Sequence, residues 1–280
     1  MNHLIALFVL ASASLASPVA DAQRYNRALP DDNLAYPVLI TFKNGLSSGS
    51  GFYVATDAAM YFVTAKHVLF NPATDKLFDM KCDLVSYSKD LSDPAPNVAL
   101  VDFAALGSEN IRAHSSEDVA VVKVYSLSTA PDGRKRFTTL PGVTLTEATK
   151  LGIVSVGLEG IMTFDQVLIG NEVIVMGYPT SIGLKEMQQI DSHRPLLRKG
   201  LVAGKNAQRH SIVLDCPSYP GNSGSPVIEV DAEGLTRHFN SIGVVSQYVP
   251  YADGGKTFVI MANSGYSIAT PMDSVLELIK

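Results

Sequence analysis

The feature that most restricts the fold of this chain is the brevity and spacing of its apolar runs. Residues 38–42, 51–54, 60–63, 84–87, 98–103 and 119–124 form one set, and 172–176, 196–203, 211–214, 227–230, 241–246, 257–261 and 266–269 form a second. Each is alternating or wholly apolar and is broken off by Gly, Pro, Asn or Asp. Runs this short suit strands, whose side chains alternate between faces, and not helices, which need a longer pattern of period 3.6. Many short strands with few helical patterns predict an all-β barrel or sandwich. Between the sets, residues 126–150 are rich in Ser, Thr, Pro, Gly and charge and read as a connection. One helical pattern closes the chain, with Thr270 as cap, Pro271 at the first helical position and Asp273 three residues after the cap.

A chain of 280 residues has room for two such cores. Its net charge of −5 gives no ground for a nucleic-acid partner. Residues 4–11 are apolar and lead through small residues to Ala20-Asp21-Ala22, which reads as an export signal cut after Ala22, or else after Ala16. The run is too short to span a bilayer well, so no stable membrane anchor is expected after cleavage. The expected organisation is a signal peptide over 1–22, a first half over 23–150 and a second half over 151–280, giving an exported protein, secreted or periplasmic. The two cysteines, Cys82 and Cys216, make neither a disulfide framework nor a metal-site spacing, and they are expected as buried free thiols. No metal or other cofactor is implied.

Against this background Gly221-Asn222-Ser223-Gly224-Ser225-Pro226 is the stretch that points to chemistry. A tight glycine turn can push a weakly nucleophilic hydroxyl into a cleft beside bare backbone N–H groups. The same residue types also make ordinary loops. The catalytic reading therefore needs a base and an acid to orient it. His67 ends the apolar stretch before it in Thr64-Ala65-Lys66-His67-Val68, and Asp118 stands at the mouth of the run 119–124. Asp102 is a rival for the acid, interior to its own run.

In the order His67, Asp118, Ser223 the chain resembles the chymotrypsin-like (trypsin-like) serine peptidases, and most nearly the protease domain of the bacterial HtrA/Deg branch without its PDZ domain. Four further stretches carry the likeness: Gly49-Ser50-Gly51-Phe52-Tyr53-Val54, the Thr64 to Val68 motif, Gly170-Asn171-Glu172 running on to Gly177-Tyr178-Pro179, and Asp215-Cys216-Pro217-Ser218-Tyr219-Pro220 before the serine turn. Ser225 departs from the commoner pattern, which has glycine there.

The resemblance implies two antiparallel six-stranded β-barrels with a short C-terminal helix, and an exported serine endopeptidase acting on protein or peptide substrates through an acyl-enzyme. In that family's mechanism His67 takes the Ser223 proton, Asp118 orients His67, and the N–H groups of Gly221 and Ser223 receive the oxyanion. The pocket for the side chain before the cut bond would be lined by Pro217 or Ser218, by Val245, Ser246, Gln247 and Tyr248, and by the neighbourhood of Gly265. With no carboxylate evident at its base and Asp215 read as structural, a small or medium apolar side chain is the expected preference. A catalytically silent binding or scaffolding protein on the same fold is the alternative. Lys185, Arg194, Arg198, Lys199, Lys205 and Arg209, with His193 and His210, read either as a solvated face or as a loop that senses an anionic partner.

Overall fold

The computed structural model describes residues 29, 34–45, 47–88, 93, 95–131, 135–146, 153–179, 187–191, 194–233, 236–254 and 259–280. The expected signal, residues 1–22, lies outside them. Six strands, β1 (Pro37–Phe42), β2 (Ser48–Ala55), β3 (Ala59–Thr64), β4 (Lys81–Tyr87), β5 (Pro96–Asp102) and β6 (Ala120–Thr129), pair antiparallel in the order β6-β3-β2-β1-β4-β5. Four short strands complete this ten-stranded curled sheet: Ile111–Ala113 and Lys135–Thr139 on β6, Val143–Leu145 on β5, and Val156–Gly157 parallel to β2. Six more, β7 (Glu172–Gly177), β8 (Leu196–Asn206), β9 (Ser211–Asp215), β10 (Pro226–Glu233), β11 (Thr236–Gly254) and β12 (Val259–Pro271), close into a barrel in the order β7-β8-β9-β12-β11-β10. The helices are short: α1 (Lys66–Leu69), α2 (Phe103–Leu106) and the C-terminal α3 (Met272–Ile279). This is the two-barrel β architecture with a terminal helix that the resemblance implies.

Strand alternation explains how one sheet serves two cores. From β2 and β3, Tyr53, Met60 and Phe62 point into the first half with Val38, Ile40 and Leu84. Their neighbours Phe52, Val54, Tyr61 and Val63 point the other way, onto Val244 of β11 and onto Met272, Val275 and Ile279 of α3. Every residue of β3 is buried as a result. The α3 residues recur at helical spacing on one face, so the helix closes this cluster by packing on β6, β11 and β12. Full burial of such a side chain contributes roughly 1.5–3 kcal/mol. A third core, with Val173, Val175, Ile212, Leu214, Val227 and Ile242, fills the second barrel.

Three expectations are corrected. Residues 126–150 are not a plain connection, because β6 runs on to Thr129 and the strands Lys135–Thr139 and Val143–Leu145 follow; Phe137, Leu140, Val143 and Leu145 pack on the first core. The run 266–269 and the described part of the run 257–261, from Val259 on, belong to one long strand, β12. At α3 the cap position is Pro271 with no side-chain cap bond, and Asp273 instead accepts the Phe164 N–H at 2.6 Å. Among the described residues no helix is long and apolar enough to cross a membrane.

Candidate active site

His67 sits in α1, the single turn that follows β3, so the strand's buried apolar residues fix where its ring emerges. Asp118 ends the short loop between Ile111–Ala113 and β6, two antiparallel strands in register at Ala113 and Ala120. The Asp118 carboxylate meets His67 twice: Oδ2 lies 2.6 Å from Nδ1 of the ring, and Oδ1 accepts the His67 backbone N–H at 2.9 Å. Because a carboxylate only accepts, this contact places a proton on Nδ1 and leaves Nε2 of the neutral ring as an acceptor. Both side chains are about one-third exposed, which leaves the pair open to a cleft.

The rival Asp102 is used elsewhere. It caps α2, accepting the N–H groups of Ala104 and Ala105 at 3.1 and 3.3 Å, and pairs with Lys81 at 3.2 Å. The Ala105 N–H and Lys81 hold its carboxyl below the usual range.

Ser223 lies in the turn between β9 and β10, where Gly221 has φ 95° and Gly224 φ 87°. Only glycine adopts these left-handed values cheaply. Within the turn, Asn222 N–H is used by the Tyr219 carbonyl at 2.9 Å and Ser225 N–H by the Asn222 carbonyl at 2.9 Å. Gly224 N–H donates to Val245 O at 2.7 Å, and Val245 N–H to Ser225 O at 2.9 Å. Among the described residues, the N–H groups of Gly221 and Ser223 donate to no partner.

The turn is tied to the first half through β2. Ser50 N–H donates to the Ser223 carbonyl at 2.9 Å, while the Ser50 hydroxyl donates to the Gly221 carbonyl at 2.7 Å and accepts the Tyr178 N–H at 2.9 Å. Thr64 Oγ1 completes the tie by donating to Ser50 O at 2.6 Å. Gly49 lies between the two catalytic candidates: a Cβ placed on it would meet the Val68 side chain at 2.9 Å and the Ser223 carbonyl at 3.1 Å. The neighbour of His67 and the backbone of Ser223 therefore press on one glycine. Ser50 and Thr64 were not singled out as functional from sequence, although the Gly49-Ser50-Gly51 and Thr64-Ala65-Lys66-His67 motifs contain them.

The pocket candidates are distributed as follows. Ser218 is buried and its carbonyl accepts from Asn263 Nδ2, whose Oδ1 takes the Gly265 N–H at 2.9 Å. Pro217 is partly buried beside it. Val245 faces the barrel core, so at the cleft it offers backbone only. Ser246 donates to the Ile268 carbonyl at 3.2 Å, and Gln247 and Tyr248 are exposed on β11. Asp215 is exposed at the end of β9. Cys216 and Cys82 are buried free thiols; burial pushes the Cys216 pKa up to about 11, which keeps it a thiol and a poor nucleophile. Among the described residues no group of His, Cys, Asp or Glu could hold a metal ion.

The basic residues are dispersed along β8 and its approach. Arg194 stacks on Tyr87 at 4.0 Å and donates to Asp93 O at 2.7 Å, Arg198 stacks on Tyr219 at 4.4 Å, and Lys199 pairs with Glu172 at 2.6 Å. Lys205 donates to Phe164 O at 2.6 Å and Val167 O at 2.9 Å. Each of these four side chains has a partner within the chain; Lys185 and His193 lie outside the described residues.

A family model described as a trypsin-like peptidase domain matches residues 49–235. No curated protein matches the chain in sequence. Among solved structures, the serine endoprotease from Yersinia pestis aligns with TM-score 0.49 and 15% identity over 88% of this chain and 62% of that one. The HtrA-type protease AlgW, solved with a tripeptide, aligns with TM-score 0.47 and 18% identity over 88% of this chain and 58% of that one. The chain thus spans about three-fifths of the length of these two structures.

Proposed function

The chain belongs to the trypsin-like peptidase domain family, and from that premise we propose that it is an exported serine endopeptidase with Ser223 as nucleophile, His67 as general base and Asp118 as orienting acid. The observation that carries the reading is the double contact of Asp118 with His67, to the ring at 2.6 Å and to the backbone N–H at 2.9 Å. It holds the imidazole in the tautomer a general base requires.

Chemically, the Ser223 hydroxyl oxygen attacks a peptide carbonyl carbon as its proton passes to Nε2 of His67. The negative carbonyl oxygen is received by the N–H groups of Gly221 and Ser223, the two donors of the turn that are not used internally. The C–N bond then breaks, the leaving amine takes the proton from Nε2, and water hydrolyses the ester left on Ser223 by the same proton path. Losing one oxyanion donor costs about 10²–10³ in rate, so the turn's conformation matters as much as its serine. Pro217, Ser218, Ser246, Gln247 and Tyr248, with the backbone of Val245, would bound the pocket for a small or medium apolar side chain. Export rests on the apolar leader before Ala22.

Hydrolysis of a panel of short peptides by purified protein beginning at Gln23 tests this reading. Activity abolished in Ser223→Ala, with an unchanged thermal transition, is the expected result. Equal hydrolysis by the variant excludes Ser223 as nucleophile.

A further inference from the structure

The loop that carries Asp118 has a second support beside the contact with His67. It sits at the end of a loop of four residues, 115–118, closed at its base where His114 N–H donates to Val119 O at 2.9 Å. A loop so short and half exposed has few contacts to fix the last side chain in it, yet the carboxylate must hold a hydrogen bond of 2.6 Å to a ring on another element. The His114 ring folds back over this loop. Its Nδ1 accepts the Glu117 N–H at 3.0 Å, with Ser116 N–H a longer 3.4 Å away, and its Nε2 lies 3.1 Å from Glu277 Oε2 on α3. A carboxylate can only accept and a backbone amide only donate, so a single species satisfies both contacts: the neutral imidazole protonated at Nε2. α3 is itself anchored, through its apolar face on β6, β11 and β12 and through Arg112, whose guanidinium donates to the Leu278 carbonyl at 2.7 Å.

We propose that His114 is a positioning residue for the peptidase reaction: its ring accepts the Glu117 amide and so fixes the peptide that precedes Asp118. The inference rests on the assignment of Asp118 as the orienting acid. His114 is remote from substrate and acts only through the acid. Its loss should therefore lower the turnover number without moving KM, because displacing a catalytic group by an ångström costs as much as about 10²-fold in rate. Glu277 meets the ring from the far side at 3.1 Å, and the bond to the Glu117 amide is the one the positioning role requires.

Three substitutions separate the two contacts of the ring. His114→Asn puts an amide oxygen near the position of Nδ1 and keeps an acceptor for the Glu117 N–H. His114→Gln reaches Glu277 with its amide nitrogen but offers the loop no acceptor, and His114→Ala keeps neither bond. The expected result is a fall in kcat of roughly 10- to 100-fold in the Ala and Gln variants at unchanged KM, with most of the parent kcat retained in Asn. Amide hydrogen exchange at Glu117 should quicken in Ala and Gln and stay near the parent rate in Asn. An equal fall in all three variants, a shift in KM in place of kcat, or a Glu117 exchange rate unchanged in His114→Ala overturns the inference. Failure of the underlying reading looks different, since it is a parent protein that neither hydrolyses peptides nor reacts at Ser223, and that outcome removes the positioning role with it.

Discussion

The Ser50 hydroxyl donates to the Gly221 carbonyl at 2.7 Å, across 171 residues of sequence, and so fixes the serine turn of one half on a strand of the other. The same oxygen accepts the Tyr178 N–H, so one small side chain joins β2, the end of β7 and the turn. In Ser50→Ala two buried backbone groups lose their partner. Leaving a buried polar group unsatisfied costs about 1–3 kcal/mol, so a clear loss of stability is expected in denaturant titration. A larger proportional loss of kcat should accompany it, because the carbonyl of Gly221 sets the direction of the neighbouring N–H groups. A variant with parental stability and parental kcat would show that the tie is not needed.

Gly224 cannot be replaced. At φ 87° any side chain is strained, and a Cβ there would run into the Ser50 carbonyl and the Thr64 hydroxyl. Gly45 provides the comparison, with φ 70° and open space around the same position. Gly45→Ala should cost only the left-handed backbone penalty, about 1–2 kcal/mol. Gly224→Ala should cost markedly more and abolish hydrolysis, since the clash is with backbone and cannot relax by a rotamer change. Similar melting temperatures for the two variants would contradict the packing described.

Glu229 gives a pH dependence whose sign is fixed by its position. It is buried on β10, and burial raises its pKa above the ordinary glutamate value against the opposing hydrogen bond from Asn171 Nδ2 at 2.6 Å. A raised carboxyl pKa means the folded chain prefers the neutral form. The stability this group contributes is present in full below the ordinary glutamate range and falls as pH rises through the native pKa. Glu229→Gln does not titrate, so its melting temperature relative to the parent should climb as pH rises above the ordinary glutamate range, near about 4. A difference that is flat with pH, or that narrows as pH rises, argues against this assignment.

The strands were legible because one physical rule, alternation of buried and exposed positions, is written directly in sequence. Val38, Ile40 and Phe42 are a plain instance, at 0, 0 and 4% exposure. The strands at 135–139 and 143–145 were not legible because their apolar residues, Phe137, Leu140, Val143 and Leu145, are thinly set among Ser, Thr, Pro and Gly, and pairing with β6 and β5 overrides that local preference. Thr270 looked like a helix cap from its neighbours alone, but it is the last residue of β12 before Pro271 and pairs with Val244 in β11. Of the site, His67, Asp118 and Ser223 could be picked out as residue types in context, whereas Ser50 and His114 reach partners 171 and 163 residues away. No local pattern encodes such a contact. Asp102 and Asp118 could be ranked only by analogy until geometry put one on α2 and the other on His67.

The most direct measurement is covalent labelling of the purified protein by a fluorophosphonate, followed by peptide mapping of the adduct. The reagent reports an activated serine without requiring the natural substrate. A single adduct on Ser223, slowed strongly in His67→Ala and Asp118→Asn and absent in Ser223→Ala, is the predicted result. An adduct on another serine, or labelling of Ser223 that is indifferent to loss of His67, would contradict the account.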